Sequence, residues 1–316
     1  MDKPEVLVVA SKLPPFMMDA LHAAFRVHDR IHETDPDTFR QVAHRIVGVA
    51  ANGEAKAPRS LIEQLPALKV ISVFGVGYDG IDVQAAKARN VVVGHTPDVL
   101  NDDVADLAIG LMLSIARRIP QADRFVREGR WPQGPMPLAS KVSGARLGIV
   151  GLGRIGGAIA RRAEGFGVSI AYHSRHAKPD CPYAYFPSAE ALASQVDYLV
   201  VITPGGAATR KLIDARVLTA LGPKGYLINV ARGSVVDEAA LVDALARGAI
   251  AGAALDVFEN EPQVPEALWT MENVVLTPHM ASATLQTRRA MADLAFANLQ
   301  AGIAGQPLRT PVPECR

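Results

Sequence analysis

Three charged residues in the second half of the chain have the types needed to reduce a carbonyl. Arg232 lies in Ile228-Asn-Val-Ala-Arg-Gly-Ser-Val-Val-Asp237, Glu261 in Leu255-Asp-Val-Phe-Glu-Asn-Glu-Pro262, and His279 in Leu276-Thr-Pro-His-Met-Ala-Ser282. Reduction of a 2-oxo acid takes a cation for the carboxylate and carbonyl oxygen, an acid for the developing alkoxide, and a group that keeps that acid protonated. A guanidinium fork suits the first task. A histidine suits the second, since imidazole ordinarily titrates near working pH. A carboxylate hydrogen-bonded to the imidazole favours its charged form, which is the part expected of Glu261. Each residue alone has a plainer reading as a surface charge, a cap or a satisfied core group. The expectation rests on all three standing where strand-like runs end. Asp256 and Glu259 compete with Glu261; Asp256 is assigned to the carboxamide of a nicotinamide, and Glu259 to a structural role.

A second constellation precedes this one. Arg146-Leu-Gly-Ile-Val-Gly-Leu-Gly-Arg-Ile-Gly-Gly-Ala-Ile-Ala-Arg161 places Gly151-x-Gly153-x-x-Gly156 between a strand-like run and an amphipathic helix. Gly151 permits the tight turn, Gly153 lets a pyrophosphate approach the backbone, and Gly156 lets helix pack on strand. Free amides and the positive end of the helix dipole would hold the phosphates. That context raises an otherwise weak motif to a dinucleotide site. NAD sites place an acid after the second strand, but Ser169–Tyr172 is followed by His173-Ser174-Arg175-His176, and no acid occurs before Asp180. Ser174 can hydrogen-bond a 2′-phosphate and Arg175 can pair with it, so NADPH is the expected cofactor. The alternative is that Arg175 is a solvated loop residue.

The elements that must position these groups are legible as alternation. Apolar runs at Val6–Ala10, Ile46–Ala50, Val70–Phe74 and Val91–Val93 form one set. Those at Leu147–Val150, Ser169–Tyr172, Tyr198–Ile202, Leu227–Val230, Ala253–Asp256 and Val274–Leu276 form another. Continuous apolar character fits strands buried on both faces of a parallel sheet, and helix-period segments between them make a doubly wound α/β fold. A long helical pattern from Asn101 to Arg118 and a Gly/Pro-rich connector, residues 129–137, separate the sets. Asp35-Pro36 and Asp82 read as helix N-caps and Gly248 as a helix stop. The last helix, Thr284 to Ala304, could pack on either domain.

A chain of 316 residues favours two domains. With 33 basic and 32 acidic residues there is no electrostatic footprint for nucleic acid or anionic lipid. The most apolar helical run, Leu107–Ala116, is too short to span a bilayer, and a cytoplasmic protein is expected. Cys181 and Cys315 make neither a disulfide framework nor a zinc spacing. His22, His28, His32 and His44 scatter without a paired carboxylate pattern, so no metal site is expected.

Phe74-Gly-Val-Gly-Tyr-Asp-Gly-Ile-Asp82, Thr96-Pro-Asp-Val-Leu100, the Gly151 loop, Asn229-Val-Ala-Arg-Gly-Ser234, Leu255–Pro262 and Thr277-Pro-His279 occur in an order that resembles the D-isomer-specific 2-hydroxyacid dehydrogenase family. The likeness is strongest to its NADPH-dependent glyoxylate/hydroxypyruvate reductases and plant hydroxyphenylpyruvate reductases. It implies that Arg232, Glu261 and His279 are catalytic, that the Val76 and Gly77 amides hold the substrate carboxylate, and that Leu100 lines the pocket. Cofactor contacts would come from Gly151, Leu152, Gly153, Arg154, Ile155 and Gly156, with Ser174, Arg175, Thr203, Val230, Ala231, Asp256 and Ser282. The resemblance also implies a Rossmann nucleotide-binding domain, residues 101–285, inserted into a flavodoxin-like substrate domain, residues 1–100 and 286–316. A homodimer would form through the segment Asn101–Gln133, with Trp131 either reaching the partner or packing in its own arm. Thr203-Pro-Gly-Gly206 and Met280-Ala281 depart from the family's usual residues. Two other readings stay open: a dinucleotide-sensing regulator of the corepressor type, and another family dehydrogenase that uses NAD.

Overall fold

The apolar runs become parallel strands. In the computed structural model, which describes residues 3–315, they are β1 (Glu5–Val8), β2 (Arg26–Asp29), β3 (Ile46–Asn52), β4 (Val70–Phe74), β5 (Val92–Gly94), β6 (Arg146–Val150), β7 (Ser169–His173), β8 (Ala184–Phe186), β9 (Tyr198–Val201), β10 (Tyr226–Asn229), β11 (Gly252–Leu255) and β12 (Val274–Leu276). Contacts divide the chain into two units: one runs to Leu100 and resumes at Ala283, and the other is Asn101–Ser282.

The first unit holds a five-stranded sheet in the order β2-β1-β3-β4-β5, all parallel. This is the flavodoxin-like order. Helix Pro36–Val42 is capped by Asp35, whose carboxylate accepts from the Thr38 N–H at 3.1 Å. Asp82 caps Val83–Ala88 in the same way, accepting from the Ala85 N–H at 2.8 Å. The helix Leu285–Ile303, which its own apolar pattern left unassigned and the resemblance placed with the first domain, lies against β3 and β4 in this unit. Small residues decide that packing: a Cβ on Gly302 would stand 2.4 Å from the Val70 side chain, and one on Gly48 2.9 Å from that of Leu299. Ser72 adds a buried hydrogen bond, donating to the Ala295 carbonyl at 2.7 Å.

One side-chain pairing in this unit is invisible in the linear sequence. His28 does have a carboxylate partner: its Nε2 lies 2.8 Å from Glu5, which also accepts from Arg45 at 2.7 Å. Parallel pairing of β1 with β2 sets Glu5 opposite Arg26 and leaves His28 two positions on, beyond what linear spacing reveals. Burial pushes the Glu5 carboxyl up, but bonds from Arg45 and His28 prevail and hold it below the ordinary range.

The second unit holds a seven-stranded parallel sheet, β12-β11-β10-β9-β6-β7-β8. The chain winds outward from β6 in both directions, so the strand order reverses between β6 and β9. Ligands of open α/β sheets bind outside the carboxyl ends at such a point. The helix Asn101–Arg117 buries Val104, Ala108, Leu111, Met112 and Ile115 and packs on Arg154–Glu164. Arg162 reinforces that contact, reaching Asp106 at 2.5 Å and Asp102 at 3.0 Å. Among the described residues no helix is long and apolar enough to cross a membrane.

Candidate active site

The glycine loop stands at the switch point. Val150 is opposite Val201 in the ladder, so the chain leaves β6 beside Ile202 and Thr203. Gly151 has φ +104°, and a Cβ there would lie 2.7 Å from the Ile202 carbonyl oxygen. On Gly156 a Cβ would be 2.1 Å from the Gly151 oxygen. Gly153 differs: no atom lies within 4 Å of where its Cβ would stand. It precedes helix Arg154–Glu164, whose N-terminus has no side-chain cap, a setting that favours an anion. Two glycines are thus demanded by the fold, and one by whatever approaches from outside. Leu152 is buried, Ile155 half-buried and Arg154 exposed.

Around the loop are the remaining cofactor candidates. Thr203 carries a buried hydroxyl with no hydrogen-bond partner among the described residues, which suits a ligand supplying that partner. Ser174 and Arg175 follow β7; Arg175 is exposed, and the Ser174 hydroxyl donates to the His176 carbonyl at 2.7 Å. Val230 and Ala231 are buried after β10, and Ser282 is half-buried. An uncapped helix start beside an open glycine, with an orphaned hydroxyl nearby and a cation past the second strand, fits a phosphorylated dinucleotide.

The catalytic candidates are held by loops after β10, β11 and β12. His279 Nδ1 lies 2.6 Å from Glu261 Oε2, while Glu261 Oε1 accepts from the Phe258 N–H at 2.9 Å. Burial pushes the Glu261 carboxyl up, but the His279 hydrogen bond and charge, the Phe258 amide and the Arg232 charge outweigh it. The group is held below the ordinary carboxylate range and stays ionised. An acceptor on Nδ1 leaves Nε2 as the nitrogen that can exchange a proton with a ligand. Glu261, rather than Glu259, is therefore the histidine's partner; Glu259 pairs with Arg210 at 2.9 Å.

The turn bearing His279 is strained, with φ +49° in the left-handed region that non-glycine residues avoid. Asp256 holds it there. This fully buried residue accepts from the Thr277 hydroxyl at 2.6 Å and from the Met280 and Ala281 amides, each at 2.9 Å, and its carbonyl accepts from the His279 N–H at 2.8 Å. Burial raises its carboxyl above the ordinary range despite those bonds. Its main observed work is to anchor the turn that carries His279, which the sequence did not signal.

Arg232 is placed by two neighbours. Asn229, itself buried, donates to the Arg232 carbonyl at 3.1 Å and accepts from the Ala231 N–H at 3.1 Å. Gly233 allows contact with the Phe258–Glu259 backbone, where a Cβ would come within 1.9 Å of Phe258 carbonyl atoms. That contact brings the Arg232 loop beside the segment carrying Glu261. The Arg-Gly dipeptide was the only sequence signal for it.

In the first unit, Val76 and Gly77 follow β4 in a half-exposed loop. Neither amide has a hydrogen-bond partner among the described residues. Leu100 is buried at the end of this unit's first segment.

Known proteins resemble this chain in sequence and fold. Residues 109–281 match the family described as D-isomer specific 2-hydroxyacid dehydrogenase, NAD binding domain. The chain is 51% identical over 276 residues to a glyoxylate/hydroxypyruvate reductase of Arabidopsis thaliana, covering 87% of each protein. It is 52% identical over 270 residues to the hydroxyphenylpyruvate reductase of Plectranthus scutellarioides, covering 85% of this chain and 86% of that one. Among solved structures it resembles an NADPH-dependent glyoxylate/hydroxypyruvate reductase of Sinorhizobium meliloti in complex with NADP and malonate. That match has a TM-score of 0.93 and 49% identity over 99% of this chain and 98% of the other.

Proposed function

The chain belongs to the D-isomer-specific 2-hydroxyacid dehydrogenase family, and on that premise we propose that it reduces small 2-oxo acids to D-2-hydroxy acids with NADPH. Glyoxylate and hydroxypyruvate are the first substrates to test, as its relatives' names suggest, with aryl pyruvates next. The observation that carries this reading is the 2.6 Å pair between His279 and an ionised Glu261, on the unit that also bears the glycine loop. A sensing regulator has no need of such a pair, and the named relatives are reductases.

The residue roles follow from chemistry. Bound NADPH supplies a hydride to the keto carbon. Arg232 draws electron density to the carbonyl oxygen and stabilises the charge that develops there. His279 delivers a proton to that oxygen from Nε2, and Glu261 fixes the imidazole through Nδ1. The Val76 and Gly77 amides take the substrate carboxylate, with Leu100 lining the pocket. Gly151 to Gly156, Thr203, Val230, Ala231 and Ser282 hold the dinucleotide, and Arg175 with Ser174 selects the 2′-phosphate. Ser174 must turn its hydroxyl from His176 to donate to that phosphate. Asp256 reaches the carboxamide only with acceptor capacity left over from the catalytic turn.

A homodimer forms, in this proposal, through the segment Asn101–Gln133. Ile119 and Val126 are 50% and 54% exposed and line a groove with Leu113 and Ala122, and Trp131 is 68% exposed. Such apolar exposure on one helix pair suits a protein partner. Both cysteines are free, as in a reducing compartment, and the cytoplasm is the assigned location.

The test is NADPH consumption with glyoxylate, hydroxypyruvate and phenylpyruvate, repeated with NADH and compared as kcat/KM. His279→Ala and Arg232→Ala should each lower kcat by orders of magnitude while NADPH still binds. Near-normal turnover in either variant refutes the role assigned to that residue.

A further inference from the structure

The loop after β4 is fixed by two consecutive residues on the neighbouring strand's exit, His95 and Thr96. Fully buried Thr96 grips the Gly75 peptide groups from both sides: its hydroxyl accepts from the Gly75 N–H at 3.0 Å, and its own N–H donates to the Gly75 carbonyl at 2.8 Å. His95, also buried, takes the next carbonyl, with Nδ1 donating to Val76 O at 3.0 Å. A carbonyl can only accept, so Nδ1 carries the proton.

The consequence lies in peptide geometry. In a planar trans peptide the C=O of one residue and the N–H of the next point in opposite directions. Holding Gly75 O toward Thr96 turns the Val76 N–H away from it. Holding Val76 O toward His95 turns the Gly77 N–H away likewise. The two amides aimed outward are the two that lack partners among the described residues. Successive amides held in this way form an anion-binding concavity.

We infer that His95 is a positioning residue for substrate: by binding the Val76 carbonyl, its imidazole aims the Gly77 N–H at the carboxylate of the 2-oxo acid. This rests on the carboxylate role proposed for those amides. The imidazole is well braced. The His95 carbonyl accepts from Thr310 Oγ1 at 2.6 Å and Asn298 Nδ2 at 3.2 Å, and its N–H donates to the Thr310 carbonyl at 3.1 Å. Tyr78 lies edge-on to its ring, centroids 5.3 Å apart, and is itself tied to Glu314 at 3.1 Å. Nothing in the residue type announces this function; a histidine before Thr-Pro has many plain uses.

Two variants test it. His95→Phe keeps a ring against Tyr78 but removes the donor, whereas His95→Asn offers an amide N–H near the place of Nδ1. The carboxylate binds alike in ground and transition states, so its loss is uniform and falls on KM. His95→Phe should raise KM for glyoxylate about tenfold and weaken competitive inhibition by oxalate as much, with kcat changed less than about threefold. NADPH affinity, followed by its fluorescence, should stay unchanged, and His95→Asn should recover most of the lost oxalate affinity. Unchanged KM and oxalate inhibition in His95→Phe overturn the inference, as does equal loss in both variants with a matching fall in Tm. Failure of the underlying reading has a different signature: the wild-type protein would reduce no 2-oxo acid, or oxalate would not compete with glyoxylate, and both proposals would fall together.

Discussion

Replacing Glu261 by glutamine isolates the charge behind His279, the proposed proton donor, at almost constant shape. Both groups bonded to Glu261 are donors, the Phe258 N–H at 2.9 Å and His279 Nδ1 at 2.6 Å. A carboxylate accepts both, but an amide has one oxygen and one NH2, so one donor must face another donor. If the oxygen stays with Phe258, the NH2 group opposes Nδ1–H and the imidazole is released or forced into the wrong tautomer. If it turns to His279, the buried turn loses its anchor and the imidazolium has lost its counter-charge. A hydrogen bond to a charged group contributes about 1.5–3 kcal/mol, which corresponds to about 10- to 150-fold in rate. Glu261→Gln should therefore lower kcat for glyoxylate reduction by that factor, with KM and the dissociation constant of NADPH little changed. The assay is steady-state NADPH oxidation at saturating cofactor, beside a fluorescence titration of NADPH on the same preparations. A kcat within about threefold of wild type, in a variant with wild-type Tm, would refute the role of the pair.

Other outcomes follow from the same geometry. Gly153→Ala should fold with a near-normal Tm yet bind NADPH poorly, because its Cβ would occupy open space, whereas Gly156→Ala, with a Cβ 2.1 Å from the Gly151 oxygen, should lose several degrees of Tm as well; equal thermal stability in the two would contradict this. Arg175→Ala should reduce the NADPH-over-NADH preference in kcat/KM at least about tenfold, mostly through NADPH; an unchanged ratio would make Arg175 a solvated bystander. Glu261 titrates below its reference value of 4.5, so the stability from its pairing is fully present above that value and is lost as pH falls through the lowered folded one. The difference in urea midpoint between wild type and Glu261→Gln should accordingly be steady near neutrality and close in acid, and a gap that widens on acidification would reverse the sign of the argument. Val126→Glu, on the exposed face of Ile119–Arg127, should yield a monomer by sedimentation; a wild-type protein already monomeric would remove the dimer proposal.

The parts of this protein legible in its sequence are those governed by local physics. Strands buried on both faces need continuous apolar runs, and ten of the twelve described strands could be placed by that rule. The two it missed, Arg26–Asp29 and Ala184–Phe186, are edge strands of their sheets, where one side is open and no such run is required. The glycine loop was readable because a tight turn and close helix packing each exclude a Cβ, and the excluded position is the residue itself. The same holds for the caps at Asp35 and Asp82, where partners lie three residues away.

Tertiary structure decided everything that depends on which distant segments meet. Glu261 was the expected partner of the histidine with Asp256 and Glu259 in competition, and only the meeting of the loops after β11 and β12 shows Glu261 at Nδ1, Asp256 under the turn and Glu259 on Arg210. The helix Leu285–Ile303 had no preferred domain in its own amphipathic pattern; the close approach of Gly302 to Val70 settled it. Asp256 became the anchor of the His279 turn, and His95 the holder of the Val76 carbonyl, through bonds between residues 19 to 25 positions apart. A residue's chemistry is written in its type, but its orientation comes from neighbours that linear spacing does not specify. Aiming a proton or an amide is such a property, and only the folded chain supplies it.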